Sequence, residues 1–384
     1  MPCMRMENNM NRKLLHTPEG VRDIYGDEYR RKLKVQSLIA EKISDFGYES
    51  IQTPGFEFFD VFSKEIGTTS SRELYKFFDK DGNTLVLRPD FTPSIARCAA
   101  KYFLESDETV RLTYSGNAFV NSSASYQGRL NETTQMGAEL IGDDSVEADA
   151  EIIALTCETL FHAGLSDFQI SIGNVEYFKG MCAEAGLDED TELELREYIS
   201  GKNFFGAREY LEESGIKGSI TDKLLQISTL FGNEDILDKA KDLADNDRSE
   251  KAVKRLKNLY KTLKLYGVEK YISFDLGLLS KYNYYTGIVF KGYTYGVGDA
   301  IVKGGRYDTL LARFGKDAPA VGYVILIDDL MSAMYRQNIL IDIGKECITL
   351  EYTDDTYEEV LKEALKLRHV GGSNVRLMKA RNNK

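Results

Sequence analysis

From residue 176 to about residue 266 the chain is charged and helix-forming almost without interruption, and blocks rich in strand-forming residues lie on both sides of it. The stretches ELELREYI, AREYLEESG and KAVKRLKNLYKTLKLYG contain no β-rich run and space their apolar residues for one buried helical face. A doubly wound sheet alternates strand and helix throughout, and this chain does not. The order is helix, antiparallel strands, helical insertion, strands and a small α/β tail. The expected fold class is therefore α+β, an antiparallel sheet flanked by helices with a helical insertion at about 176–266 and a short α/β C-terminal segment at 331–384.

Local patterns fill in that frame. Residues 28–46 carry Leu33, Val35, Leu38, Ile39, Ile43 and Phe46 at helical spacing, and Gly47 ends the run. YESIQTP then reads as a strand broken by Pro54. Asp-Gly-Asn within residues 75–88 marks a hairpin, and a helix is expected over 94–103. Strands are expected at 110–119 and 134–141, and a helix at Ser145, an N-cap candidate followed by Glu147 and Asp149. YISFDLG, YYTGIVFKGYTYG, GDAIVKGG and AVGYVILID read as strands, with Gly296 and Gly298 as hairpin glycines and Gly304-Gly305-Arg306 as a turn. In the tail, CITLEYT and NVRLMKA read as strands around the helix DTYEEVLKEALKL.

Several function classes are disfavoured before any motif is considered. Five scattered cysteines with no CxxC, and three separated histidines, point to reduced thiols rather than a zinc site or disulfide framework. No GxxxxGK[ST], HExxH or GxSxG occurs. A net charge of -12 speaks against general polyanion binding, and MPCMRMENNMNRKLLH has no apolar core of a leader, so a cytoplasmic location is expected.

Seven fragments in order carry a resemblance to the class II aminoacyl-tRNA synthetases, specifically the histidyl-tRNA synthetase family. They are TPEGVRDI (17–24), GYESIQTPGFE (47–57, like motif 1), LRPDFT (87–92), the stretch 116–142 (like motif 2), NYYTGIVF (283–290), KGGRYD (303–308) and AVGYVILIDDL (320–330, like motif 3). The resemblance implies a class II core over 14–330 and a dimer formed through the motif 1 helix and strand.

Departures from the family fall on its nucleotide side. The motif 2 arginine that binds the α-phosphate matches Val120, followed by Asn121 and Ser122; the arginine that stabilises the pentavalent phosphorus matches Ser280. The motif 3 arginine of the γ-phosphate matches Asp329, the adenine-stacking phenylalanine matches Thr133, and Arg129 is what survives of the charged set. Three such donors lost together remove roughly 5 to 10 kcal/mol of transition-state stabilisation, about four to seven decades in rate. No adenylation is expected.

The amino-acid side keeps its polar residues. Family positions that hold the ammonium and imidazole of histidine match Asp90, Thr92, Gln135, Glu139, Tyr284 and Tyr285. Carboxylates suit an ammonium, and Glu or Tyr suits an imidazole. Asp90 is one methylene shorter than the family glutamate. The residues after 330 are also too few for the family's anticodon-binding domain. Together these features resemble the regulatory subunits of ATP phosphoribosyltransferase. That resemblance implies a chain without catalytic residues or cofactor, assembled as a hetero-octamer with the short-form catalytic subunit, and L-histidine as feedback effector in histidine biosynthesis. Two other readings stay open here, a histidyl-tRNA synthetase with a rewired nucleotide site and a paralogue with another amino-acid-activating role. So does plain drift of the retained polar residues.

Overall fold

The computed structural model describes residues 15–63, 69–103, 108–122, 130–279, 284–344, 347–371 and 374–380. In chain order the elements begin with α1 (Gly26–Asp45), β1 (Glu49–Ser50), β2 (Phe56–Phe58), β3 (Lys76–Phe78), β4 (Thr84–Leu87) and α2 (Thr92–Tyr102). Then come β5 (Val110–Phe119), β6 (Glu132–Ile141), α3 (Val146–His162) and β7 (Gln169–Asn174). The insertion contains α4 (Val175–Glu184), α5 (Glu189–Ser200), α6 (Phe204–Glu213), α7 (Ser219–Gln226), β8 (Phe231–Gly232), α8 (Ile236–Leu243) and α9 (Asp247–Tyr266). The chain continues with β9 (Ile272–Asp275), β10 (Ile288–Tyr293), β11 (Val302–Arg306), β12 (Ala320–Leu326) and α10 (Ile327–Arg336), then β13 (Ile348–Tyr352), α11 (Tyr357–Gly371) and β14 (Val375–Lys379).

Two compact units can be distinguished: one gathers Val35–Leu340 with the segment ending at Ile24, the other gathers Tyr25–Lys34 with the chain from Ile341 onward. The larger holds a nine-stranded sheet in the order β1-β5-β6-β12-β11-β10-β7-β9-β8. Its central pairs are antiparallel, while β1 on β5 and β7 on β9 are parallel. A three-stranded sheet, β2-β4-β3, contains the expected hairpin, whose turn is closed by Asp79 Oδ1 accepting from the amides of Asp81 and Asn83 at 2.9 and 2.8 Å. In the smaller unit β13 and β14 pair in parallel through α11, with Ala364 buried. No helix among the described residues is long and apolar enough to cross a membrane.

The sheet separates two packing layers. Successive side chains of a strand point to opposite faces, so Val110, Leu112 and Tyr114 of β5 share one face with Ile141 of β6 and Ala320 of β12. That face packs under Phe91 and Ile95, Ala96 and Ala99 of α2. On the other face α3 buries Ile152, Ile153, Leu155 and Leu160 completely, each worth about 1.5 to 3 kcal/mol. Its start was legible, because Ser145 Oγ accepts from the Ala148 amide at 3.1 Å as an N-cap should.

Asp149, in the first turn of α3, is fully buried and shared by two arginines. Arg306 Nε of β11 donates to its Oδ1 at 2.7 Å, and Arg255 Nε of α9 donates to its Oδ2 at 2.7 Å. Helix α9 itself starts at an Asn246 cap and buries Leu256, Leu259 and Leu263. Apolar packing and one shared carboxylate therefore join the insertion to the sheet, together with the strand pairing of β8 on β9.

Several expectations are corrected by the structure. The insertion is not purely helical, because Phe231 and Gly232 pair with Phe274 and Asp275 on the sheet edge. β7 and α10 were not expected. Ile170 and Ile172 alternate into the core as a strand requires, and Ile327, Leu330, Ala333 and Met334 form one buried helical face. Leu33 of α1 is exposed, because two positions before Val35 it falls on the side of the helix opposite Val35, Ile39 and Ile43, which are buried. Gly304-Gly305-Arg306 is part of strand β11, not a turn: a Cβ on Gly304 would stand 2.3 Å from the Phe290 ring and 2.6 Å from the Gly322 carbonyl. Cys98, Cys157, Cys182 and Cys347 are unbridged; Cys3 lies outside the described residues.

Candidate functional site

The face of the main sheet beneath α2 is floored by glycine. Gly116 of β5 pairs with Gln135 of β6, Tyr114 with Gly137, Leu112 with Glu139, Glu139 with Gly322 of β12, and Gly322 with Gly305 of β11. Four of these positions lack a side chain, and a polar or aromatic group comes close to each. A Cβ on Gly322 would stand 1.6 Å from Glu139 Oε2, and one on Gly137 would stand 2.5 Å from the Tyr114 hydroxyl. One on Gly305 would stand 2.6 Å from the Tyr285 ring, and one on Gly116 would stand 2.6 Å from Arg88 Nη2. Glycine inside a strand often marks such close approach.

Glu139 is the centre of this floor. It is 1% exposed, and both of its carboxylate oxygens are engaged: Thr92 Oγ1 donates to Oε1 at 2.9 Å and the Tyr307 hydroxyl to Oε2 at 2.5 Å. Burial pushes its pKa up to about 8, with the charge of Asp90 acting the same way and the two hydroxyl donors acting against it. Burial, and then the Glu139 charge, push the Tyr307 phenol well above its ordinary range, so it stays a donor. Asp90 turns back on α2, its Oδ1 accepting from the Thr92 amide at 2.6 Å. That bond fixes the start of the helix, where Pro93 needs no amide partner.

Of the six residues the sequence singles out, Asp90, Thr92 and Glu139 are thus joined by contact. Tyr284 and Tyr285 come in through their rings, 4.6 Å apart between centroids, with Tyr284 edge-on to Tyr307 at 5.9 Å. Gln135 stands on the same face, four strand positions from Glu139 with Gly137 midway between them, and is partly exposed. Tyr307, Gly322 and Arg88 were not taken as site residues. Tyr307 directly follows the quoted GGR, and a lone glycine inside AVGYVIL was a readable sign that something approaches the backbone there.

At the nucleotide-side positions the described residues carry no cation. The Val120 amide donates to the Asn131 carbonyl at 2.8 Å, and the Asn121 amide to the Glu73 carbonyl at 2.8 Å. Asp328 and Asp329 lie in the first turn of α10, where the helix dipole favours carboxylates, and Asp328 Oδ2 accepts from the Thr134 amide at 2.7 Å. Ser280 and Arg129 lie outside the described residues.

The chain is similar to known proteins along most of its length. A family model for histidyl-tRNA synthetase matches residues 20–330. The chain is 41% identical to an ATP phosphoribosyltransferase regulatory subunit of Acetivibrio thermocellus, over 85% of this chain and 78% of that one. It is 37% identical to the protein of the same name from Thermoanaerobacter pseudethanolicus, over 93% of both chains. A solved structure described as an ATP phosphoribosyltransferase regulatory subunit/histidyl-tRNA synthetase from Bacillus halodurans superposes with a TM-score of 0.85 at 32% identity, covering 95% of this chain and 92% of the other.

Proposed function

The chain belongs to the histidyl-tRNA synthetase family and, within it, to the regulatory subunits of ATP phosphoribosyltransferase, and from that premise we propose that it controls a short-form catalytic subunit in response to histidine. It performs no adenylation of its own. The partner brings ATP and phosphoribosyl pyrophosphate, while this chain contributes activation on assembly and inhibition when histidine binds. The assembly is a hetero-octamer built on dimers that pair through α1 and the motif 1 strand, in the cytoplasm, without tRNA.

One observation carries the reading. A fully buried carboxylate, Glu139, is held by two hydroxyl donors beside a second carboxylate, Asp90, while Val120 and Asp329 stand where the family's phosphate-binding arginines would be. Such a site favours a small ammonium-bearing ligand and disfavours a triphosphate. Asp90 and Glu139 take the ammonium, and Gln135, Tyr284 and Tyr285 flank the imidazole. Histidine shifts the complex toward an inactive arrangement by no more than its difference in affinity for the two states.

The test is reconstitution. Mixing the purified chain with a short-form catalytic subunit is expected to switch on phosphoribosyl-ATP formation, and histidine to suppress it. Glu139→Ala is expected to keep the activation and lose most of the inhibition. Equal inhibition of both complexes removes this site from the reading.

A further inference from the structure

A free amino acid brings a carboxylate as well as an ammonium, and Asp90 and Glu139 can serve just the ammonium. Arg88, at the edge of the same floor, has the chemistry for the other end. Its side chain is buried, with 8% of the residue exposed, and the acceptors it uses are neutral. Nε donates to the Asn117 carbonyl at 2.9 Å, and Nη1 to the carbonyls of Thr53 at 2.9 Å and Pro54 at 3.2 Å. Glu57, whose charge reaches Arg88, is held by Arg97 at 2.7 Å. Nη2 makes no hydrogen bond among the described residues. It hangs over Gly116, and the Phe91 ring covers the guanidinium plane at 3.9 Å, which leaves the Nη2 edge as the donor without an acceptor among the described residues. Gly116 pairs with Gln135, so this edge points to the face that carries Gln135 and Glu139.

A buried guanidinium without a counter-carboxylate is stabilised by an anion brought to it, and the pairing is strong because neither group is well hydrated. We propose that Arg88 is the cation that recognises the carboxylate of the bound amino acid, with Nη2 donating above Gly116 and beside Gln135. This rests on the histidine reading and replaces, with a residue from the α2 approach, the cations missing at Val120 and Ser280. Gly116 is part of the device, since any side chain there would occupy the donor's place.

Titration calorimetry of the full chain with L-histidine and with histidinol, which lacks the carboxylate, tests it. The wild-type chain is expected to prefer histidine by about tenfold or more, as a charge-assisted bond implies. Arg88→Gln is expected to lose that factor for histidine while changing histidinol affinity less than about threefold. Gly116→Ala keeps the charge but displaces Nη2, and is expected to act in the same direction, so the test survives if Arg88→Gln does not fold. Equal wild-type affinity for the two ligands overturns the assignment, as does an equal loss for both in the variants. Binding of neither ligand by the wild-type chain overturns the histidine reading itself, and Arg88 with it.

Discussion

Glu139 holds its proton far into the neutral range because its carboxyl is buried and faces a second acid. In an unfolded chain it would titrate at its ordinary value near 4.5, and in the folded chain at about 8. Between those values the folded state binds the extra proton, so this residue's contribution to stability is full below about pH 4.5 and declines as the pH rises toward 8. Glu139→Gln, which imitates the protonated acid, should flatten that slope in thermal melts taken across the window. A ligand ammonium reverses the preference and expels the proton. Histidine affinity should therefore rise between pH ~6 and ~8, and calorimetry in buffers of different ionisation heat should show up to about one proton released, a signal absent from Glu139→Gln. The sequence singles out this glutamate through its family motif. Of its two hydroxyl partners, Thr92 was named with it among the motif residues, while Tyr307, 168 positions away, was not, because the fold alone brings it to the carboxylate.

At the scale of elements, the shared carboxylate of Asp149 explains how a long helical insertion stays attached to a sheet. Removing it in Asp149→Ala leaves Arg306, 2% exposed, with the partly exposed Asp308 at 3.0 Å in place of a fully buried carboxylate, and should cost up to about 3 kcal/mol in chemical denaturation, the low end for a broken buried pair. Leu256→Ala, on the buried face of α9, should cost about 2 to 5 kcal/mol by the cavity it opens. Helices α1, α3 and α9 could be read from period and caps, because their apolar stripes and Ser145 or Asn246 act locally. β8 could not: two residues, one of them glycine, have no period, and they become a strand because β9 offers an unpaired edge. α10 had a readable stripe, hidden by its position directly after a strand with the same apolar density.

For the whole molecule, the expected loss of adenylation follows from charge at three positions, and the purified chain should show no histidine-dependent exchange of pyrophosphate into ATP above background. Restoring one cation with Val120→Arg should not recover it, since Asp329 would still repel the triphosphate and Ser280 would still supply no charge. The expected division between a retained amino-acid side and an altered nucleotide side rests on residue identity at motif positions, which a sequence displays directly. The glycine floor was not visible, since which glycines line up across four strands is decided by register alone. That floor also exposes a weak point. One methyl group on Gly322 would collide with the Glu139 carboxylate, and one on Gly305 with Tyr285. Cells grown on a toxic histidine mimic thus have a short route to resistance, and surviving isolates should carry alanine or serine at these two glycines, overproducing the amino acid although every group that would touch it is unchanged.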